Sequence, residues 1–210
     1  MDPDLLERCA VLAAVWQCWA QTLTSLDEPA WRNSTRLEGW DVACLVAHHA
    51  MLVQGLGELA LQRVDALPET NSAADMLGRF NEPAGIATTA SSVVAEMARE
   101  HAASRSTAQL VSVFVETAPD VLDAVRRAGP VVVDYYGQGS LPLSEAVSIV
   151  TMEAVVHGLD LCAAVGIGGQ SLPAEATRAT VGLLAAVADP VAVIEAATGR
   201  RTRAVLPVIR

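Results

Sequence analysis

The chain contains no lysine: all 14 of its basic residues are arginine, set against 24 acidic residues, for a formal net charge of -10. The arginines form no basic stripe, which argues against nucleic acid as a partner. Aromatic residues are also scarce, at 4%. A β-sandwich draws on aromatic and β-branched side chains. Here the apolar content, 52% of the chain, is mostly alanine, valine and leucine, a mixture that favours helices. No charged n-region followed by an apolar h-region opens the sequence, and no apolar run reads as long and clean enough to span a bilayer. The expectation is a cytoplasmic, soluble protein with no membrane partner. Cysteine is limited to Cys9, Cys18, Cys44 and Cys162, with no C-x-x-C pair. These read as reduced, buried thiols behaving as small hydrophobes. Also missing are internal repeats, a G-x-S-x-G elbow, a P-loop and a dinucleotide fingerprint.

What is present is a succession of helical patterns. The 210 residues suit one domain with a small appendage. Asp4 to about Leu26 is amphipathic, with Leu5, Cys9, Leu12, Val15, Trp16 and Trp19 at helical spacing. A polar loop, Asp27 to Gly39, follows. Asp41 is placed to cap a second helix running to about Val64. Residues 68–83 read as a connector with room for one short helix. Ile86 to Arg127 is helical again, as one long helix or as two with a break near Ser104–Thr107, and Ala128-Gly129-Pro130 stops it. Val131 to Tyr136 suits a short strand or an extended loop. Leu143 to about Val165 is the strongest helix, with Ser144 as a candidate cap and Gly166 beyond its end. Pro173 to Ala188 and Val191 to Ala197 form shorter helices, and Thr202 to Ile209 is β-prone. The fold class is all-α: an up-down four-helix bundle over residues 1–166 with a helical C-terminal extension over 167–210. The segment Val181 to Ala197 either covers the bundle or forms a dimer face, so monomer and homodimer both stay open.

The helix around Glu153 carries the chemistry. SIVTMEAVVHGLDLCAAV is almost wholly apolar, yet it contains Glu153, His157 and Asp160. Glu153 and His157 are four residues apart and share one face. An unpaired carboxylate is costly to bury, and a divalent metal ion would pair it and fix the imidazole. A third ligand must come from another helix. Only His48, His49 and His101 are available, and His101 lies in the charged segment AREHAASR, which reads as solvated. His49 continues an apolar stripe and His48 lies beside it, so periodicity does not choose between them and leaves Cys44 open as well. The competing reading is an ordinary i,i+4 Glu153–His157 hydrogen-bonded pair with His48 and His49 as core residues.

LEGWDVACLVAHH resembles the helix start, GW-x-V-x-x-L-x-x-H, of the DinB-like, mycothiol-dependent maleylpyruvate isomerase family. MEAVVHGLDLCAAVG resembles its second block, E-x-x-x-H-G-x-D, about 100 residues on in the same order. The resemblance implies a DinB-like bundle with metal ligands at His48, Glu153 and His157. It also implies a packing role for Trp40 and a structural or ligand-orienting role for Asp160. In the family the open metal position takes a thiol or an activated water, and relatives isomerise a cis double bond by thiol addition or transfer small thiols. The implied cofactors are a divalent metal, zinc by ligand type with nickel or iron as alternatives, and mycothiol or another low-molecular-weight thiol. The implied partner is a small electrophilic substrate. Two departures stand out. Val150 occupies the place of the family's arginine in R-x-x-E, and only about 45 residues follow Gly166, too few for the family's C-terminal domain.

Two further readings stay beside this one. The first is a binding protein for a metal or small molecule without turnover. The second is a metal-free enzyme with Glu153 and His157 as acid–base groups, in which burial would raise the glutamate pKa. Tyr135 and Tyr136, in DYYGQG, read as packing residues that could also bring a phenol to a pocket mouth. Arg200, Arg201 and Arg203 read as a solvated basic tail.

Overall fold

The computed structural model describes residues 3–200, so the β-prone tail and Arg201 and Arg203 lie outside the described residues. Four long helical segments form the bundle. They are α1 (Pro3–Thr24), α2 (Val42–Leu61), a composite third segment, and α8 (Leu143–Ala164). Around them lie β1 (Arg63–Val64), α3 (Ala73–Phe80), α4 (Ile86–Thr89), α5 (Ser91–Ala103), α9 (Ala174–Val187) and α10 (Pro190–Ala197). The composite segment comprises α6 (Thr107–Ser112), a π-turn at Val113–Thr117 and α7 (Ala118–Ala128). α1 packs on α8, and α2 packs on α5, α7 and α8.

The helix ends follow from local chemistry. Asp41 sits in extended backbone and its Oδ1 accepts from Cys44 N at 2.9 Å, which starts α2 as its position predicts. α2 ends at Leu61, short of Val64, because Arg63 and Val64 turn away to pair with β2 (Val132–Asp134). β2 also pairs antiparallel with β3 (Ser140–Pro142), giving a small sheet ordered β1-β2-β3. The bundle reading holds, with this sheet added at its edge. Ser144 does not cap α8: the helix enters from Pro142 without a side-chain cap, and Leu143 N bonds Val131 O at 2.8 Å instead. At its far end Gly166 takes φ +74°, and Ile167 N reaches back to Cys162 O at 2.9 Å, closing the helix in a Schellman turn.

Ile86–Arg127 is broken in more places than its periodicity shows. The helix is interrupted at Ala90 and at Ser104–Ser106, where Ser106 and Gln109 form a capping box. The π-turn has a covalent cause: Pro119 has no N–H, the ladder cannot pass through it, and Ala118 N reaches back to Val113 O. The loop Asp27 to Gly39 is likewise not featureless. It contains a 3-10 turn at Pro29–Arg32 and a bridge between Ser34 and Asp41.

Both α2 and α8 are long and apolar enough to cross a membrane by length and composition, with 56% and 67% of their most apolar windows buried inside the fold. They lie side by side in one core that holds Trp16, Trp19, Leu45, Leu56 and Leu143. α9 lays Ala176 and Thr180 inward against the bundle and leaves Val181 exposed.

Gly158 sets the spacing of α1 and α8. A Cβ there would stand 3.2 Å from Trp19 Nε1 and 3.1 Å from Leu172 Cδ2. Trp19 Nε1 uses that gap to donate to Ala154 O at 3.0 Å. Gly158→Leu should therefore destabilise the protein by about 1–3 kcal/mol through overpacking. Urea unfolding reads the loss, and an unchanged midpoint would contradict the spacing role.

Candidate metal centre

Two neighbouring histidines on α2 have different environments because successive helical residues point about 100° apart. His49 is fully buried. Its Nε2 accepts from Trp16 Nε1 at 3.1 Å, and its ring stacks on Trp19 at 4.6 Å. Phe114, presented by the π-turn, stacks beyond Trp19 at 5.2 Å. His49 is thus a core residue. His48 faces α8 instead: its ring meets His157 edge-on at 5.0 Å and Trp40 at 5.3 Å. The buried Nδ1 of His48 has no hydrogen-bond partner.

On α8 the i,i+4 geometry brings His157 Nε2 to 3.2 Å from Glu153 Oε2. The other ring nitrogen, Nδ1, lies 3.3 Å from Asp160 Oδ2. Asp160 is in turn held through Oδ1 by Arg36, whose Nε and Nη2 are each at 2.9 Å. His48, Glu153 and His157 each offer one ligand atom, and all three atoms lie within 4.8 Å of one another. Among the described residues no other group of three such side chains converges in this way. Cys44 is not part of it; burial, and then Asp41 beside it, push its thiol up to about 11. His101 is only half-buried, yet its Nε2 is enclosed without a partner, so it is less solvated than its charged segment suggests.

The proton distribution follows from these contacts. Burial alone would lower the His157 pKa, but hydrogen bonds to Asp160 and Glu153 and their charges raise it to about 9. Burial, and then the charge on His157, lower His48 to about 4. For Glu153, burial pushes upward, but the hydrogen bond and charge of His157, and then His48, hold the carboxyl below its ordinary value. This corrects the expectation that a metal-free buried glutamate would be raised: the imidazolium one turn away outweighs desolvation. The metal-free site is therefore Glu153 carboxylate, His157 imidazolium and neutral His48.

A scaffold holds this arrangement. Asn33 Nδ2 ties the loop before α2 to Ala164 O on α8 at 3.0 Å, and Thr35 N closes the loop onto Trp40 O at 2.9 Å. That loop delivers Trp40 to His48 and Arg36 to Asp160. Asp160 is 7% exposed, so it is neither solvated nor a cap; it orients His157. Val150 is fully buried among apolar side chains. Arg36 had no signal in the sequence, since its role depends on a contact 124 residues away.

A family profile described as the mycothiol maleylpyruvate isomerase N-terminal domain matches residues 12–162. The chain belongs to this family. Its fold is shared with a solved mycothiol-dependent maleylpyruvate isomerase at 19% identity, with a TM-score of 0.59 over 88% of this chain and 71% of that one. A histidine-to-alanine variant of such an isomerase matches at 18% identity and a TM-score of 0.55, with the same coverage. Among curated proteins nothing matches the chain. At these identities the solved isomerases speak for the fold, and the family profile spans both α2 and α8, which carry the site.

The metal-free protein should be most stable near pH 6.5. His157 binds its proton more tightly folded than unfolded, so its contribution is complete below about 6.5 and is lost as pH rises through about 9. That loss is on the order of 3 kcal/mol. His48 works in the opposite sense: its folded pKa is about 4, so stability falls as pH drops from 6.5 toward 4. Urea unfolding of chelator-treated protein from pH 5 to 9 tests this; a steady rise to pH 9 would contradict it.

Proposed function

We propose that this chain is a metal- and thiol-dependent enzyme of the maleylpyruvate isomerase kind, with His48, Glu153 and His157 as the metal ligands. It would act on a small electrophilic metabolite by isomerisation or thiol transfer. The observation that carries this reading is the convergence of three ligand atoms from two helices within 4.8 Å, with the His48 Nδ1 left unpaired. Two imidazoles and one carboxylate suit zinc, and nickel or iron share the preference. With two neutral histidines and one glutamate, a divalent ion leaves the site with a net charge of +1, which favours an anionic ligand.

Bound there, the ion would lower the pKa of a coordinated thiol and hold it as the thiolate. The protein's own residues do the positioning. Asp160 fixes the Nδ1 side of His157 and so turns Nε2 toward Glu153 and His48. Arg36 keeps Asp160 in place, and the Trp40 edge limits the rotation of His48. Apolar side chains of α2 and α8 keep water from most of the site, while Glu153, with 29% of its side chain exposed, marks where a ligand would enter. We assign the metal-holding unit to residues 1–166 and regard 167–210 as an extension of it, whose α9 packs on α8 and α3. In the metal-free acid–base alternative, the Glu153 carboxylate would be the base and the His157 imidazolium the acid.

The direct test is thiol-dependent isomerisation of maleylpyruvate by the purified protein with mycothiol, before and after chelation. The reading expects turnover that chelation abolishes and zinc restores; full activity after exhaustive chelation would overturn it. Metal loading must also displace the His157 proton. At pH 7.5 it should release about one proton per metal, seen by calorimetry in buffers of different ionisation enthalpy. Asp160→Ala should weaken metal binding by about 10–100-fold in a chelator competition, and unchanged affinity would remove Asp160 from the site.

A further inference from the structure

The metal centre uses one face of α8. On the opposite face a cavity of about 530 Å³ opens between α8, α1 and α9. Ser148 and Thr151 line it from α8. At about 100° per residue they point about 120–180° away from Glu153 and His157 around the helix. The volume suits a small-molecule site. Part of the lining is internally satisfied. Arg8, from α1, spends its guanidinium on Asp4 Oδ1 at 3.0 Å, on Glu145 Oε1 at 2.8 Å and on Ser148 Oγ. The other Glu145 oxygen accepts from Ala73 N at 2.7 Å.

Other lining groups are left over. Thr180, on α9, is 5% exposed, and its Oγ1 has no hydrogen-bond partner among the described residues. A helical threonine ordinarily donates to the carbonyl four residues back. Thr151 does so to Val147 O at 2.8 Å, and Thr177, one turn before Thr180, to Pro173 O at 3.3 Å. Thr180 does not, and a buried hydroxyl without a partner is costly. Glu7, Glu175 and Arg178 also line the cavity, at its exposed side, and make no ion pair with a described residue. Four carboxylates therefore face two guanidiniums around one space, and Val11 and Leu183 supply an apolar wall.

We propose that this cavity is a second small-molecule site, separate from the metal centre, that takes an aliphatic amine carrying a hydroxyl. The ammonium sits by Glu7 and Glu175 at the exposed side, the aliphatic body lies over Val11 and Leu183, and the hydroxyl pairs with Thr180. Each part answers a feature of the lining. The excess of carboxylates attracts a cation and repels an anion. The Thr180 hydroxyl can donate and accept, and a ligand hydroxyl matches both capacities. Glu175 and Thr180 are five residues apart on α9, about 7.5 Å along its axis, a gap that an extended aliphatic chain bridges. The site does not depend on the function proposed above.

The test is a titration of the full chain, followed by amide chemical shifts, with three probes of one chain length: 6-aminohexan-1-ol, hexylamine and 6-hydroxyhexanoate. The amino alcohol should shift Ser148, Thr151 and Thr180 saturably. It should bind about fivefold tighter than hexylamine, which lacks the hydroxyl, and about tenfold tighter than 6-hydroxyhexanoate, which reverses the charge. Thr180→Val should erase the first preference, and Glu7→Gln with Glu175→Gln the second. Ala179→Trp, at an exposed position lining the cavity, should abolish binding of all three probes. Chelator-treated and zinc-loaded protein should give the same affinities. No saturable shift in wild type, or equal affinity for the three probes, overturns the proposal, and neither result needs a variant to fold. A Thr180→Val protein that keeps the full preference for the amino alcohol also overturns it. So do shifts centred on His48 and Glu153, which would place the probe at the metal centre.

Discussion

An ionised carboxylate between two apolar helices is the constraint around which this bundle is arranged. Glu153 lies on a helix whose neighbouring side chains are almost all apolar, and the desolvation of its charge must be compensated locally. His157, one turn on, supplies that compensation without a metal by holding a proton. The proton stays because Asp160 faces the far side of the ring, and Asp160 is neutralised in turn by Arg36 from the loop before α2. The result is a row of alternating charge, carboxylate, imidazolium, carboxylate and guanidinium, running from the half-buried site out to solvent. A divalent ion would replace the central proton and draw His48 into the same set. On the function proposed above, a metal ion and the proton would compete for one place.

The rest of the core makes room for this row. Trp19 crosses from α1 to bond a carbonyl of α8 next to Glu153, and Gly158, next to His157, is the gap it needs. Trp16, Trp19 and Phe114 immobilise His49, and a fixed His49 sets the rotation of α2 that aims His48 at α8. The E-x-x-x-H-G-x-D pattern therefore has a physical account at each of its four named positions: two candidate ligands, a close helix approach and a carboxylate on the far side of the histidine ring.

Much of this was legible from local sequence because its causes are local. The Asp41 cap, the Gly166 stop and the Glu153–His157 spacing each depend on a few adjacent residues. The same holds for the helical periods of α1, α2 and α8. The choice between His48 and His49 was not local: the stripe of α2 allowed either, family resemblance pointed to His48, and the structure packs His49 against Trp16 and Trp19 while His48 faces α8. Arg36, the three-stranded sheet and the packing of Tyr135 against Phe80 were illegible because each depends on a partner far along the chain. The sign of the Glu153 shift was misjudged for a related reason. Burial is visible in an apolar sequence window, whereas the strength of a charge opposing it depends on distance and on what lies behind the partner.

The central claim is that His48, Glu153 and His157 together hold one ion. Elemental mass spectrometry of the untagged, zinc-reconstituted protein tests it most directly, beside Glu153→Ala measured in the same way. About one metal per chain in wild type, lost in the variant, is the result this account predicts. A wild type without metal, or a Glu153→Ala variant that keeps a full complement, would contradict it.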